Sequence, residues 1–103
     1  MNARKLVLII GILGLAGTGI AHADDIGPDQ AIKLMQEGRI QSFEKLNEAA
    51  LAKHPGATVE ETELEKERGS YVYEVELRDT QGVEWKVELD AVSGKILRDD
   101  KDN

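Results

Sequence analysis

The chain has 103 residues, 20 acidic and 13 basic side chains, a formal net charge of −7 and no cysteine. Its negative charge opposes binding to nucleic acid or to an anionic membrane surface. Without cysteine there is no disulfide, no zinc site of the usual His/Cys type and no acylated lipobox.

The N-terminus reads MNARKLVLIIGILGLAGTGIAHADD. Arg4 and Lys5 form a basic start, Leu6 to Ile20 an uncharged apolar run, and Ala21-His22-Ala23 a small-residue cleavage site. This is the pattern of a secretory signal peptide, and the run falls short of the roughly 20 apolar residues of a membrane anchor. Residues 1–23 are therefore expected to be removed, leaving an exported, periplasmic protein with no membrane attachment. Loss of Arg4 and Lys5 takes the formal charge from −7 to −9.

Residues 24–41 read as a loose leader and a short helix. Pro28 suits a first helical turn, Asp29 faces the positive end of the helix dipole, and Ala31, Leu34 and Met35 share a side before Gly38. Ser42 then caps a second helix whose stripe is Phe43, Leu46, Ala50 and, more loosely, Leu51. His54-Pro55-Gly56 ends it, since the residue before proline resists the α conformation.

Thr58 to Lys66 is a charged strand in which Val59 and Leu64 have opposite parity; one clean register cannot bury both, and a bulge or an edge strand with only partial burial would reconcile them. After a turn at Arg68-Gly69-Ser70 comes the clearest signal in the chain. Tyr71, Tyr73, Val75 and Leu77 alternate with polar residues, and Val83, Trp85, Val87, Leu89 and Ala91 repeat the pattern beyond Gly82. Strict alternation buries one face of a strand and wets the other. Ser93-Gly94 turns the chain once more, Ile96 and Leu97 offer a short last strand, and residues 99–103 read as an acidic, solvated tail. The expected fold is α+β: one helix, flanked by a shorter one, on a three- to four-stranded antiparallel meander.

The order helix, Pro-Gly break, charged strand, YxYEVEL strand, Gly turn, alternating strand and DAxSG turn resembles the PepSY domain. The residues that carry the resemblance are Ala49 to Leu51, His54-Pro55-Gly56, Tyr73-Glu74-Val75, Gly82 and the stretch Leu89-Asp90-Ala91-Val92-Ser93-Gly94-Lys95-Ile96-Leu97. It places the domain at residues 42–98. Tyr73, Gly82, Asp90 and Gly94 are then structural positions: Tyr73 lays its ring on the helix, and Asp90 accepts from the amides of the following turn. The resemblance implies a binding or regulatory role, restraining a peptidase or acting in envelope sensing. Because the chain carries no peptidase domain of its own, such a role would be exerted in trans on another envelope protein.

Candidate chemistry is sparse. Once His22 leaves, His54 is the one histidine, and its simpler use is as a cation at a helix C-terminus rather than as a catalytic base. No catalytic residue, cofactor or dedicated metal site is expected, and an enzyme is the weakest reading. Asp99, Asp100 and Asp102 lack the glycine and closing glutamate of an EF-hand loop. The candidate partner-binding surface is the edge formed by Glu61, Glu63 and Glu65. The alternative is an envelope protein that binds divalent cations through surface carboxylates, or one that answers metal stress.

Overall fold

The computed structural model describes residues 24–102, so the expected signal peptide lies outside the described residues. Seven elements follow one another: β1 (Asp24–Asp25), α1 (Pro28–Gln36), α2 (Phe43–Lys53), β2 (Thr58–Glu67), β3 (Ser70–Arg78), β4 (Glu84–Asp90) and β5 (Ile96–Lys101). The strands form one antiparallel sheet in the order β1-β2-β3-β4-β5. No described helix is long and apolar enough to cross a membrane.

Local chemistry accounts for the helix boundaries. Pro28 opens α1 behind Gly27, with Asp29 in the first turn. Ser42 caps α2, its Oγ accepting from the Lys45 amide at 3.2 Å, which satisfies one of the donors that a helix start leaves unpaired. At the other end His54 leaves helical geometry at φ −138°, as the proline that follows requires.

The core lies between the helices and one sheet face. Leu46 and Ala50 from α2, Ala31 and Leu34 from α1, and Ile40 between them meet Leu64, Tyr73, Val75, Leu77, Val87, Leu89 and Ala91. The alternating residues of β3 and β4 thus supply most of the buried set, except that Tyr71 and Trp85 are only partly covered, and Val72 is buried although its parity is opposite. The parity conflict in β2 is resolved by an irregularity between Val59 and Glu61. Val59 pairs with Leu77 on one side of it, while on the other side Leu64 pairs with Tyr73. The extra residue moves both apolar side chains to the helix face.

Two expectations need correction. The sheet has five strands, not three to four, because Asp24 and Asp25 pair with Lys66 and Glu65 where a loose leader was expected. Two aspartates carry no alternation signal, so only the neighbouring strand reveals them. The acidic tail is also shorter than expected. β5 runs on to Lys101, with Asp99, Asp100 and Lys101 opposite Val87, Lys86 and Trp85.

The DAVSG turn ties the layers together. Asp90 Oδ1 accepts from the amides of Val92 (2.8 Å) and Ser93 (3.2 Å). Gly94 has φ +81°, and a Cβ there would meet the Gln41 amide at 3.1 Å, so both conformation and space favour glycine. Gln41 in turn donates its backbone N–H to the Ala91 carbonyl and its side-chain amide to the Val92 carbonyl. This anchors the segment between the helices onto the turn.

Candidate functional site

Both helices bury their apolar side chains on one side, and no described element covers the opposite sheet face. Sequence parity and the register determine what stands there. Glu61, Glu63 and Glu65 of β2 lie opposite Glu76, Glu74 and Val72 of β3. Glu74 and Glu76 in turn lie opposite Glu88 and Lys86 of β4, which face Arg98 and Asp100 of β5. Lys86 and Arg98 are the two cations among these carboxylates. Lys86 Nζ lies 3.8 Å from Glu74, and Arg98 is turned to Asp100 at 2.7 Å. Arg78, at the end of β3, is shared by Glu60 and Glu84.

Burial, with neighbouring like charges adding to it, perturbs the carboxylates of this face. Burial, aided by the charges of Glu65, Glu63 and Glu88 and opposed by Lys86, pushes the Glu74 pKa up to about 7. Burial also raises Glu65, with help from Glu63 and Asp25, and it raises Glu76, with help from Asp102 and Glu61. The three residues expected at a partner-binding edge are therefore on one face. The structure joins Asp25 to them: carboxylate oxygens of Asp25, Glu63 and Glu65 lie within 4.8 Å of one another. Because β1 covers Glu65 and Lys66, the open portion of the edge is Thr58–Glu63 rather than the whole strand.

A second cluster stands at the far end of α2. His54 Nε2 lies 2.8 Å from Asp99 Oδ1, and the imidazole stacks on the Trp85 indole with centroids 4.4 Å apart. Trp85 Nε1 donates to Asp79 Oδ2 at 3.0 Å, while Asp79 Oδ1 accepts from the Gln81 and Val83 amides. The indole donor, seconded by these amides, holds the Asp79 carboxyl below its usual range. His54 is thus a helix-end residue as expected, but its partner was missed. Asp99 is hidden in an acidic run, and only the continuation of β5 with helix-face parity would have pointed to it. The cluster joins α2, the β3–β4 turn and β5, and the imidazole Nε2 is occupied by Asp99 rather than by a hydroxyl nucleophile.

Tyr73 and Gly82 each make contacts within the fold. The Tyr73 hydroxyl donates to Asn47 Oδ1 at 2.8 Å, and its ring stacks on Phe43. Gly82, at φ +83°, donates its amide to the Asp79 carbonyl and closes the β3–β4 turn.

The chain is 38% identical over 60 residues to the uncharacterized protein YkoJ of Bacillus subtilis (strain 168), a match covering 58% of this chain and 35% of that protein. The chain thus matches about a third of the length of that relative. No solved structure matches. Residues 40–100, from Ile40 before α2 to Asp100 in β5, match the PepSY domain, described as peptidase propeptide and YPEB domain. With more than half of its length in that match, the chain belongs to the PepSY family.

Proposed function

We propose that this protein is a non-catalytic, exported binding module that acts in trans on another envelope protein, restraining a peptidase or modulating a sensor domain. Family membership over residues 40–100 carries the reading, since it implies a propeptide-like regulatory or binding role. The arrangement of chemical groups supports it. The imidazole of His54 is engaged by Asp99 and Trp85, and the sheet face away from the helices is rich in carboxylates. Such a face steers a basic partner towards it and repels acidic ones.

The test is crosslinked capture from the native envelope fraction, with the captured proteins identified by mass spectrometry. One enriched peptidase or sensor ectodomain is the expected result. Charge reversal at Glu61, Glu63 and Glu65 together should reduce its recovery about tenfold, a scale set by several lost charge contacts. Recovery unchanged by the triple reversal would remove this face from the interaction, and an empty capture would remove the in-trans partner.

A second reading is favoured by one observation, the convergence of Asp25, Glu63 and Glu65. Divalent-cation binding there would use oxygen ligands of the kind calcium takes. Calcium should then raise the melting temperature in proportion to the logarithm of its concentration, beyond what NaCl of equal ionic strength gives. Glu63→Gln should abolish the difference. Equal shifts in the two salts would reduce the effect to screening.

A further inference from the structure

β1 covers only part of the outer edge of β2. Asp24 and Asp25 pair with Lys66 and Glu65, the Ile26 amide donates to the Leu64 carbonyl at 2.8 Å, and the chain then leaves through Gly27 into α1. Backbone groups of a strand alternate between its two neighbours. Leu64 directs its carbonyl outward, so Thr62 also directs its N–H and C=O outward, past the point where β1 ends. Among the described residues no strand lies beyond Thr58–Glu63 on that side.

Beneath this edge is a groove of about 350 Å³, lined by Ile26, Ala31, Phe43, Leu64 and Tyr73 together with Thr62. It lies on the helix face, the side towards which alternate side chains of any strand added at the edge would project. Asp25 and Glu63 border it, with Glu60 and Glu61 further along the strand. An unpaired edge, an apolar groove and flanking carboxylates therefore coincide.

We infer that Glu61–Glu63 is a strand-addition site for an extended segment of a partner protein, in which one apolar side chain is flanked by lysine or arginine. The inference rests on the binding-module reading and names the chemistry of its partner. The backbone of Thr62 supplies the pairing, the groove takes the apolar side chain, and Glu61 and Glu63 select the charge. A second copy of this chain is a poor occupant. Its own strands are acidic, and like charges facing one another across a ladder destabilise it. The irregularity between Val59 and Glu61 confines regular pairing to the residues after it. The site is consequently short, and the groove and the charges supply much of the affinity.

The test uses ¹⁵N-labelled protein expressed with its N-terminal segment and recovered from the host envelope. It is titrated with acetyl-Lys-Val-Lys-Leu-Lys-Val-Lys-amide while amide shifts are mapped. Shifts are expected at Thr62, Leu64 and Phe43. Binding should weaken about tenfold when the central leucine of the peptide becomes serine, and should vanish when glutamate replaces its lysines. Thr62→Pro should weaken binding by about the same factor without loss of the fold, because proline is tolerated where a strand N–H faces outward. The serine peptide tests the groove on unaltered protein should that variant fail to fold. Shifts centred on Glu74, Lys86 and Glu88, with the central serine and Thr62→Pro both neutral, would overturn the edge assignment. So would absence of binding at millimolar peptide. Either result, alongside successful capture of an envelope partner, leaves the module reading standing. Peptide binding with an empty capture upholds the edge and overturns the in-trans partner.

Discussion

Tyr73→Ala is expected to destabilise the fold by about 3–5 kcal/mol, the range for removing a buried aromatic side chain. Tyr73→Phe should cost about 1 kcal/mol, the value of one hydrogen bond. The difference follows from where the side chain sits. Tyr73 is 1% exposed, in the middle of β3, between Leu64 and Leu89 on the neighbouring strands. Its ring stacks on Phe43 at 4.8 Å, and its hydroxyl donates to Asn47, so one side chain ties both the first and second turns of α2 to the sheet. Truncation opens a cavity and removes the aromatic pair; loss of the hydroxyl removes only a bond at the groove's rim. A single domain of this size has a stability of about 5 kcal/mol at the lower end of the usual range, so Tyr73→Ala should be substantially unfolded at physiological temperature. Urea denaturation followed by far-UV circular dichroism measures both variants. Equal losses would assign the stability to the Asn47 bond, and a loss below 1 kcal/mol for the alanine variant would show that Tyr73 does not hold α2 in place.

Most of the fold was legible because burial writes itself into period. Tyr71 to Leu77 and Val83 to Ala91 alternate because β3 and β4 are covered on one face only, and Ser42 and Pro55 mark the ends of α2 through backbone chemistry that needs no tertiary context. The conflict between Val59 and Leu64 pointed to a bulge or to a partly buried edge strand, and both are found: the register shifts after Val59, and Val59 stays exposed while Leu64 is buried. What escaped was set by neighbours. β1 consists of two aspartates that become a strand only because β2 offers its edge, and β5 continues through an acidic run because β4 supplies the ladder. The His54–Asp99 pair depends on that continuation and was hidden with it. Ile40 falls between the two helices, outside either periodic stripe, and it is buried because Gln41 is tied to the Ala91 turn. At the candidate surface the sequence gives the glutamates of β2 but not their surroundings. The proximity of Asp25, the pressure on Glu74 and the groove beside Thr62 are products of register and topology.

Glu74→Gln is expected to raise the melting temperature at about pH 8 and to remove most of the dependence of stability on pH between about 5 and 8. Glu74 is 17% exposed in its side chain, and its pKa of about 7 stands well above the ordinary value of 4.5. Burial is the main cause, with the carboxylates of Glu65, Glu63 and Glu88 adding to it and Lys86 working against it. The folded protein therefore holds a proton that the unfolded chain releases. The stability that comes with that proton is complete below the unfolded value and is lost as the pH rises through about 7. Glu65 and Glu76, raised from the same ordinary value, act in the same direction. Asp79 acts oppositely: its carboxyl is held low, so its contribution persists above the usual carboxylate range and is lost only in stronger acid. The two windows are separate, and the decline towards alkaline pH belongs to the crowded face. Each unit of displacement corresponds to about 1.4 kcal/mol; allowing for solvent around a partly exposed group, ionising Glu74 costs the fold roughly 1–3 kcal/mol. Glutamine keeps the shape and the hydrogen-bonding capacity without the charge, so it should recover most of that amount, about 5–10 °C for a domain of this length. Thermal melts of the two proteins across the pH range decide the matter. Parallel curves would show that Glu74 is ionised at no cost and that the face is adequately neutralised by Lys86. Convergence at low pH with divergence above neutrality would show that the protein carries, on its uncovered sheet, a charge that folding resists.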